Sequence, residues 1–309
     1  MITYIIGNLF ESPARVLVNT VNTVGVMGKG IAKDFKLIYP EMFKLYQEFC
    51  ENGQLAIGKI WLYKTSQKWV LNFPTKTTWR KRSKIEHIES GLQAFVRGYA
   101  QRGITSIAFP QLGCGNGELD WENQVRPLME KYLGELPIDV FIYLYKSDPF
   151  VPEHRDIKSV AQWLRAETKS LGFVEVWRDL QNLIGDGIHV KTHTNQRSFY
   201  VECFSDIEES GICFQANNKK QVAMQEELCE FWDLIRKYGF GLSNIMPAGL
   251  ESISDELVYL FLKLDYCHPI KASTDYQNLD SDQSIGLQWL PNTEIELFKP
   301  LPFELQIVS

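Results

Sequence analysis

The sequence predicts an α/β fold over about its first half, with a sheet covered on both faces by helices, followed by a smaller α+β region. Three observations carry this. Short β-type runs alternate with helical stripes as far as about residue 148, an order that buries a sheet between helices. Around Ser147-Asp148-Pro149 the pattern resets, and strands then come as a run of neighbours rather than singly between helices. At 309 residues the chain also exceeds one compact core of ordinary size, so two domains, 1–148 and 149–309, are expected.

In the first half, Ile2–Ile6, Val16–Asn19, Lys59–Tyr63, Trp69–Phe73, Ser106–Phe109 and Val140–Leu144 read as strands. Ile31, Phe35 and Ile38 lie at helical spacing up to Pro40, and Phe43, Tyr46 and Phe49 start the next helix. Ile85, Ile88, Leu92, Phe95, Val96 and Tyr99 form a long amphipathic stripe. Val125, Leu128, Met129 and Tyr132 mark a last helix, which tolerates Pro127 only in its first turn. In the second half, Ile157 to Leu164 and Val174 to Ile184 predict helices. Ile188–Thr192, Phe199–Cys203 and Gly211–Gln215 predict a meander. Val222 to Tyr238 predicts a long helix, Leu257 to Leu264 another, and Asp275 to Ser284 a polar loop.

Net charge divides along the same line. Residues 1–150 hold 18 Lys/Arg against 14 Asp/Glu, a net of +4, and the remainder holds 14 against 24, a net of −10. A weakly basic half joined to a strongly acidic one suggests two kinds of partner, or on the acidic side solubility alone. No apolar run approaches the length of a membrane span, and Met1–Gly7 reads as a strand rather than a signal peptide. The six cysteines show no close pairing and no Cys/His cluster. Reduced thiols in a cytoplasmic protein, with no metal and no membrane, are therefore expected.

Chemistry concentrates in two glycine-rich turns, each after a strand. Val18 to Ala32 delivers Asn19 and Asn22, then Gly25, Gly28 and Gly30, then a helix. Glycines there let backbone amides approach a diphosphate, and the helix N-terminus favours negative charge. The spacing fits neither the dinucleotide fingerprint nor the P-loop. The second turn, Pro110-Gln-Leu-Gly-Cys-Gly-Asn-Gly117, also follows a strand's carboxyl end, where open α/β sheets bind ligands. Two such loops predict a pyrophosphate clamp.

These motifs resemble the macrodomain family. The resemblance rests on Gly7-Asn8-Leu9 after the first strand, on Asn19-Thr-Val-Asn-Thr-Val-Gly-Val-Met-Gly-Lys-Gly-Ile-Ala, on Asn72-Phe-Pro-Thr-Lys76, and on Leu112-Gly-Cys-Gly-Asn-Gly-Glu-Leu-Asp-Trp-Glu122. It covers about residues 1–147 and looks most like the branch of terminal ADP-ribose protein glycohydrolase and the DarG-type bacterial DNA ADP-ribosyl glycohydrolases. The resemblance implies a three-layer α/β/α macrodomain with a mixed sheet and ADP-ribose as ligand, with no other cofactor. By position, Gly7, Asn8, Leu9 and Phe10 match the adenosine-binding turn. Asn22 matches the residue holding the distal ribose, with Asn19, Gly28, Lys29, Gly30 and Ile31 around it. Pro110, Leu112, Gly113, Cys114, Gly115, Asn116 and Gly117 match the loop enclosing the diphosphate, and Lys76 matches the catalytic lysine.

Two positions depart from the pattern. Asn8 stands where many macrodomains carry Asp, which leaves an uncharged acceptor. Gly117 stands where the protein glycohydrolase has its aspartate, and the nearby Asp120 reads as a helix cap. Cleavage of an N-glycosidic bond passes through a cationic sugar. Lys76 can serve it either as a neutral amine forming a Schiff base or as a charge polarising the leaving base. From Lys76 to Lys84, five cations and Trp79 fall in nine residues. Trp79, Arg80, Lys81 and Arg82 suit single-stranded nucleic acid, unless Trp79 belongs to the core. Cys114 lacks a histidine partner, and His189 and His193 read as facing solvent or a partner. The resulting expectation is an antitoxin-type glycohydrolase that clears ADP-ribose from DNA bases, with a second domain binding a cognate DarT-like ADP-ribosyltransferase toxin. The alternatives are a non-catalytic ADP-ribose reader and a protein ADP-ribosyl hydrolase.

Overall fold

The computed structural model describes residues 1–66, 68–144, 171–192, 198–205, 209–216, 219–279 and 285–289, with residues 306–308 as backbone. The helix expected over Ile157 to Leu164, the residues around the expected 148/149 boundary, and His193 lie outside the described residues. The chain divides into two compact units, residues 1–167 with 294–309, and residues 168–293.

The first unit is built on strands β1 (Ile2–Ile6), β2 (Val16–Asn22), β3 (Ile60–Tyr63), β4 (Trp69–Lys76), β5 (Ser106–Pro110), β6 (Asp139–Leu144) and β14 (Gln306–Val308). Their order is β1-β6-β5-β2-β4-β3-β14. The pairs from β1 to β4 run parallel, and β3 lies antiparallel to both β4 and β14. The sheet is therefore mixed. Its central strands are buried almost continuously, as in a sheet with apolar cover on both faces.

Helices α1 (Gly30–Ile38), α2 (Pro40–Glu51), α3 (Ile85–Gly98) and α4 (Arg126–Leu133) connect these strands. Pro40 closes α1 and opens α2 from its first turn, and Pro127 sits likewise in the first turn of α4, where a missing N–H costs nothing. The α3 stripe buries Ile88, Leu92 and Phe95. Gly91 lets that helix approach β4, since a Cβ there would lie 2.2 Å from the Phe73 ring. Parallel β2, β4 and β5 all end at one edge of the sheet, so the segments after them gather there.

The second unit holds an antiparallel meander in the order β10-β9-β8-β7, from β7 (Ile188–Lys191), β8 (Ser198–Ser205), β9 (Ser210–Ala216) and β10 (Lys219–Met224). A second antiparallel set, in the order β11-β13-β12, joins β11 (Phe240–Leu242), β12 (Cys267–Ser273) and β13 (Ile285–Trp289). With α5 (Phe173–Ile184), α6 (Gln225–Tyr238) and α7 (Ser254–Phe261) this is an α+β arrangement. Trp232 centres its core, stacked near Phe261 and edge-on to Trp289 and Tyr266.

Two expectations are corrected in this unit. The single helix expected over Val222 to Tyr238 is a strand and a helix. Val222 pairs with Cys213 in the meander, and the helix begins at Gln225, where the Glu227 carboxylate accepts from the Met224 amide at 2.8 Å. Helix α7 ends at Phe261, before Leu264.

Candidate active site

The segments at the carboxyl edge of the first unit's sheet enclose a cleft of about 1520 Å³. Most of the residues singled out by their motifs line it: Gly7 to Phe10, Asn22, Gly28 to Ile31, Lys76, Trp79, Arg80, Pro110, Gly113 and Cys114 to Gly117. Asn19, Leu112, Lys81 and Arg82 do not. Asn19 and Leu112 are fully buried. Asn19 donates through Nδ2 to the Asn72 side chain at 2.9 Å, which ties β2 to β4 beneath the loop. Lys81 and Arg82 are exposed beyond the rim.

Asn22 organises the first glycine loop from within. Its Oδ1 accepts from the amides of Val24 at 3.0 Å and Val26 at 3.3 Å and from the Tyr46 hydroxyl at 3.1 Å, while Nδ2 donates to the Val26 carbonyl at 2.6 Å. A side chain so fully engaged holds both the loop and its own orientation. The loop runs into α1, whose N-cap residue Lys29 makes no side-chain capping bond. The first amides of that helix are thus left for a ligand at the positive end of its dipole.

The second loop is tied to the segment after β4. The Ser83 amide donates to the Gly117 carbonyl at 3.0 Å, and Lys76 Nζ donates to the Asn116 carbonyl at 2.7 Å. Gly117 has no room for a side chain, because a Cβ would sit 2.3 Å from both Ser83 Oγ and the Gly113 carbonyl oxygen. The departure at this position is therefore built into the packing. The two glycine loops also meet, since a Cβ on Gly30 would lie 2.9 Å from Asn116 Nδ2.

Lys76 is paired in register with Asn22 across β4 and β2, just past a shift at Val21/Asn22. Its ammonium is pulled below the ordinary lysine value, chiefly by desolvation, with Glu118 acting in the opposite sense. Partial burial thus favours the uncharged amine, the form a nucleophile needs. Burial pushes the Cys114 thiol up to about 12, and its Sγ contacts the Leu112 carbonyl, so no thiolate is available. Asp120 is exposed and accepts from the Asn123 amide and side chain at 3.1 and 2.7 Å, capping the turn at Trp121–Val125. Asn8 Oδ1 accepts from the Phe10 amide at 3.1 Å and caps the short turn Leu9–Glu11. Only its second lone pair is left for a ligand.

Trp79 is 50% exposed, with the Arg80 guanidinium 4.1 Å from its ring centroid. It belongs to the surface, not the core. His189 is exposed and lies against Tyr200. Among the described residues there is no cluster of His, Cys, Asp or Glu able to hold a metal, and no helix long and apolar enough to cross a membrane. Trp121, Tyr143 and Glu118 also line the cleft, although the sequence assigns none of them to the site. Trp121 and Tyr143 are largely buried. Glu118 takes a backbone φ of 60°, unlike every other described non-glycine residue, which costs a side chain about 1–2 kcal/mol.

Residues 18–128 match the macro domain family model. Over 147 residues the chain is 46% identical to a DNA ADP-ribosyl glycohydrolase of Mycobacterium tuberculosis, an alignment covering 46% of this chain and 42% of that protein. The corresponding protein of Thermus aquaticus is 41% identical over 147 residues, covering 46% of this chain and 41% of that one. The chain therefore spans less than half the length of these relatives. A solved macrodomain of Mycobacterium tuberculosis DarG is 46% identical and covers 47% of this chain and 99% of that one, with a TM-score of 0.46. The motifs and the matched family model lead to one conclusion: residues 18–128 form a macro domain.

Proposed function

We propose that this protein hydrolyses the N-glycosidic bond between ADP-ribose and a nucleobase of DNA. The observation that carries this reading is the register pairing of Lys76 with Asn22 on the cleft floor, between two glycine loops. In it, adenosine occupies the turn at Gly7 to Phe10. The diphosphate lies between the start of α1 and the Gly113–Gly117 loop, and the distal ribose rests by Asn22 with its anomeric carbon toward Lys76. The neutral amine of Lys76 attacks that carbon as the bond to the base nitrogen breaks. The base leaves with the proton the amine gives up, and Lys76 is left joined to the ribose as a glycosylamine. Breaking the bond from C1 to the ring oxygen, which takes up a proton, opens the sugar to a Schiff base, and water hydrolyses that to release ADP-ribose and the free amine. The relatives of Mycobacterium tuberculosis and Thermus aquaticus carry the name DNA ADP-ribosyl glycohydrolase, which supports DNA as the carrier of the modification. Trp79 and Arg80 at the rim, with Lys81 and Arg82 beyond it, supply a surface for a single strand.

The acidic second half of the chain, residues 149–309, is read as the docking region for a DarT-like ADP-ribosyltransferase. Two things support this: the net charge of −10 over residues 151–309, and a relative from Thermosipho africanus named as a DNA ADP-ribosyl transferase–DNA ADP-ribosyl glycohydrolase fusion protein, 42% identical over 157 residues. An acidic domain drawn onto a basic DNA-binding groove excludes DNA by occupancy.

The catalytic part is tested with Lys76→Ala on an ADP-ribosylated single-stranded oligonucleotide. Hydrolysis is expected to fall by at least about 100-fold, while calorimetry still records ADP-ribose binding without added metal. Turnover near the wild-type rate would remove Lys76 from the chemistry and leave an ADP-ribose reader as the better account.

A further inference from the structure

We propose that Glu118 is a built-in competitor of the nucleic-acid backbone, occupying Arg82 in the free protein and giving it up to a phosphate when DNA binds. This rests on the reading that the segment from Trp79 to Arg82 receives DNA. Glu118 Oε2 lies 2.7 Å from Arg82 Nε, with both side chains largely exposed, at 55% and 79%. Among the described residues this is the one ion pair that joins the basic segment to the second glycine loop.

The backbone already fastens these two segments together, through the Ser83 amide on the Gly117 carbonyl and through Lys76 Nζ on the Asn116 carbonyl. The side-chain pair is not needed to hold the loop. Glu118 nevertheless sits in a left-handed conformation, φ 60°, that glycine would adopt freely. The position tolerates strain and carries a carboxylate at the cleft rim, where it presents to Arg82 the same kind of acceptor that a phosphate oxygen would. An exposed pair of this kind is weak and screened by salt, so a phosphate approaching beside a bound ADP-ribosyl group can replace it. The exchange lets Arg82 add affinity only when a backbone is present, and it lowers retention of unmodified strands.

Two probes test this, a short fluorescent single-stranded oligonucleotide without modification and free ADP-ribose. The full chain is compared with Glu118→Gln, Arg82→Ala and the double variant, across a salt series. Relative to ADP-ribose affinity, Glu118→Gln is expected to bind the oligonucleotide about two- to five-fold tighter at low salt. Its salt dependence should be steeper by up to about 0.7 in log–log slope. Arg82→Ala should weaken the oligonucleotide, and Glu118→Gln should then add nothing. A tightening that persists without Arg82 would mean a diffuse charge effect and overturn the proposal. So would unchanged oligonucleotide affinity in Glu118→Gln where Arg82→Ala still weakens binding. Should Arg82→Ala leave oligonucleotide affinity untouched, the basic segment itself would not meet DNA, and the parent reading would fall with this one.

Discussion

Strand β4 has a lysine at each end, and both are perturbed in the same direction. Lys68, just before the strand, donates to the carbonyls of Ser12 at 2.6 Å and Ala14 at 2.7 Å, and burial, followed by the nearby Arg15, lowers it to about 7. Lys76, at the far end, donates to the Asn116 carbonyl and is lowered by partial burial against the pull of Glu118. By titration alone Lys68 is the more disturbed group. It does not line the cleft, whereas Lys76 does. A shifted lysine is thus a sign of burial first and of function only when its nitrogen faces a space that a substrate can enter. Lys68 is spent on the carbonyls of Ser12 and Ala14, after the turn at Leu9–Glu11, whereas Lys76 lines the cleft.

The ends can be made to fail separately. The largest effect is expected from Gly117→Ala at the cleft end. A methyl group forced against Ser83 Oγ and the Gly113 carbonyl must displace the loop, at about 1–3 kcal/mol of stability, and ADP-ribose binding measured by calorimetry should disappear. Retained binding would mean that this loop does not shape the ligand site.

At the other end, Lys68→Met should leave ADP-ribose binding intact and change the pH dependence of stability. Lys68 titrates lower in the folded protein than in the unfolded chain, so the unfolded state holds the extra proton between about 7 and the ordinary lysine value. The stability contributed by this group is therefore full above that ordinary value and is lost as pH falls through about 7. Thermal melts of the wild type should rise with pH over that window more steeply than those of Lys68→Met. Equal slopes would mean that Lys68 keeps its charge in the fold.

A smaller effect is expected beyond the rim. Neutralising Arg80, Lys81 and Arg82 together should weaken a modified oligonucleotide and flatten its salt dependence by about 2 in log–log slope, while free ADP-ribose shows little change. Parallel salt slopes before and after would mean that the basic segment stays clear of the nucleic acid.

Much of the first unit was legible because its signals are local. Strand β1 falls over Ile2–Ile6 as read, and the prolines at 40 and 127 mark helix starts. The glycine loops identified the cleft because close backbone approach excludes other residues there, as at Gly117. What escaped were properties of the assembled fold. Asn19 stands in the same motif as Asn22, three residues away, yet its amide is turned to Asn72, and only pairing with β4 decides that. Strand β4 continues past Phe73 to Lys76 because β2 pairs beside it that far, Val21 with Pro74 and Asn22 with Lys76. In the second unit β12 and β13 are separated by a polar stretch and pair with each other, and β13 also pairs with β11. Their strand character comes from partners far along the chain. Glu118 lies within the second motif, yet its left-handed conformation is visible only in the backbone.

In the proposed mechanism Lys76, and not the more strongly shifted Lys68, meets the sugar carbon. The direct test is reductive trapping with borohydride during turnover of an ADP-ribosylated oligonucleotide, followed by peptide mass mapping. The predicted result is a reduced ADP-ribosyl adduct on Lys76 and none on Lys68. An adduct on Lys68, or full turnover with Lys76 unmodified at every time point, would contradict it.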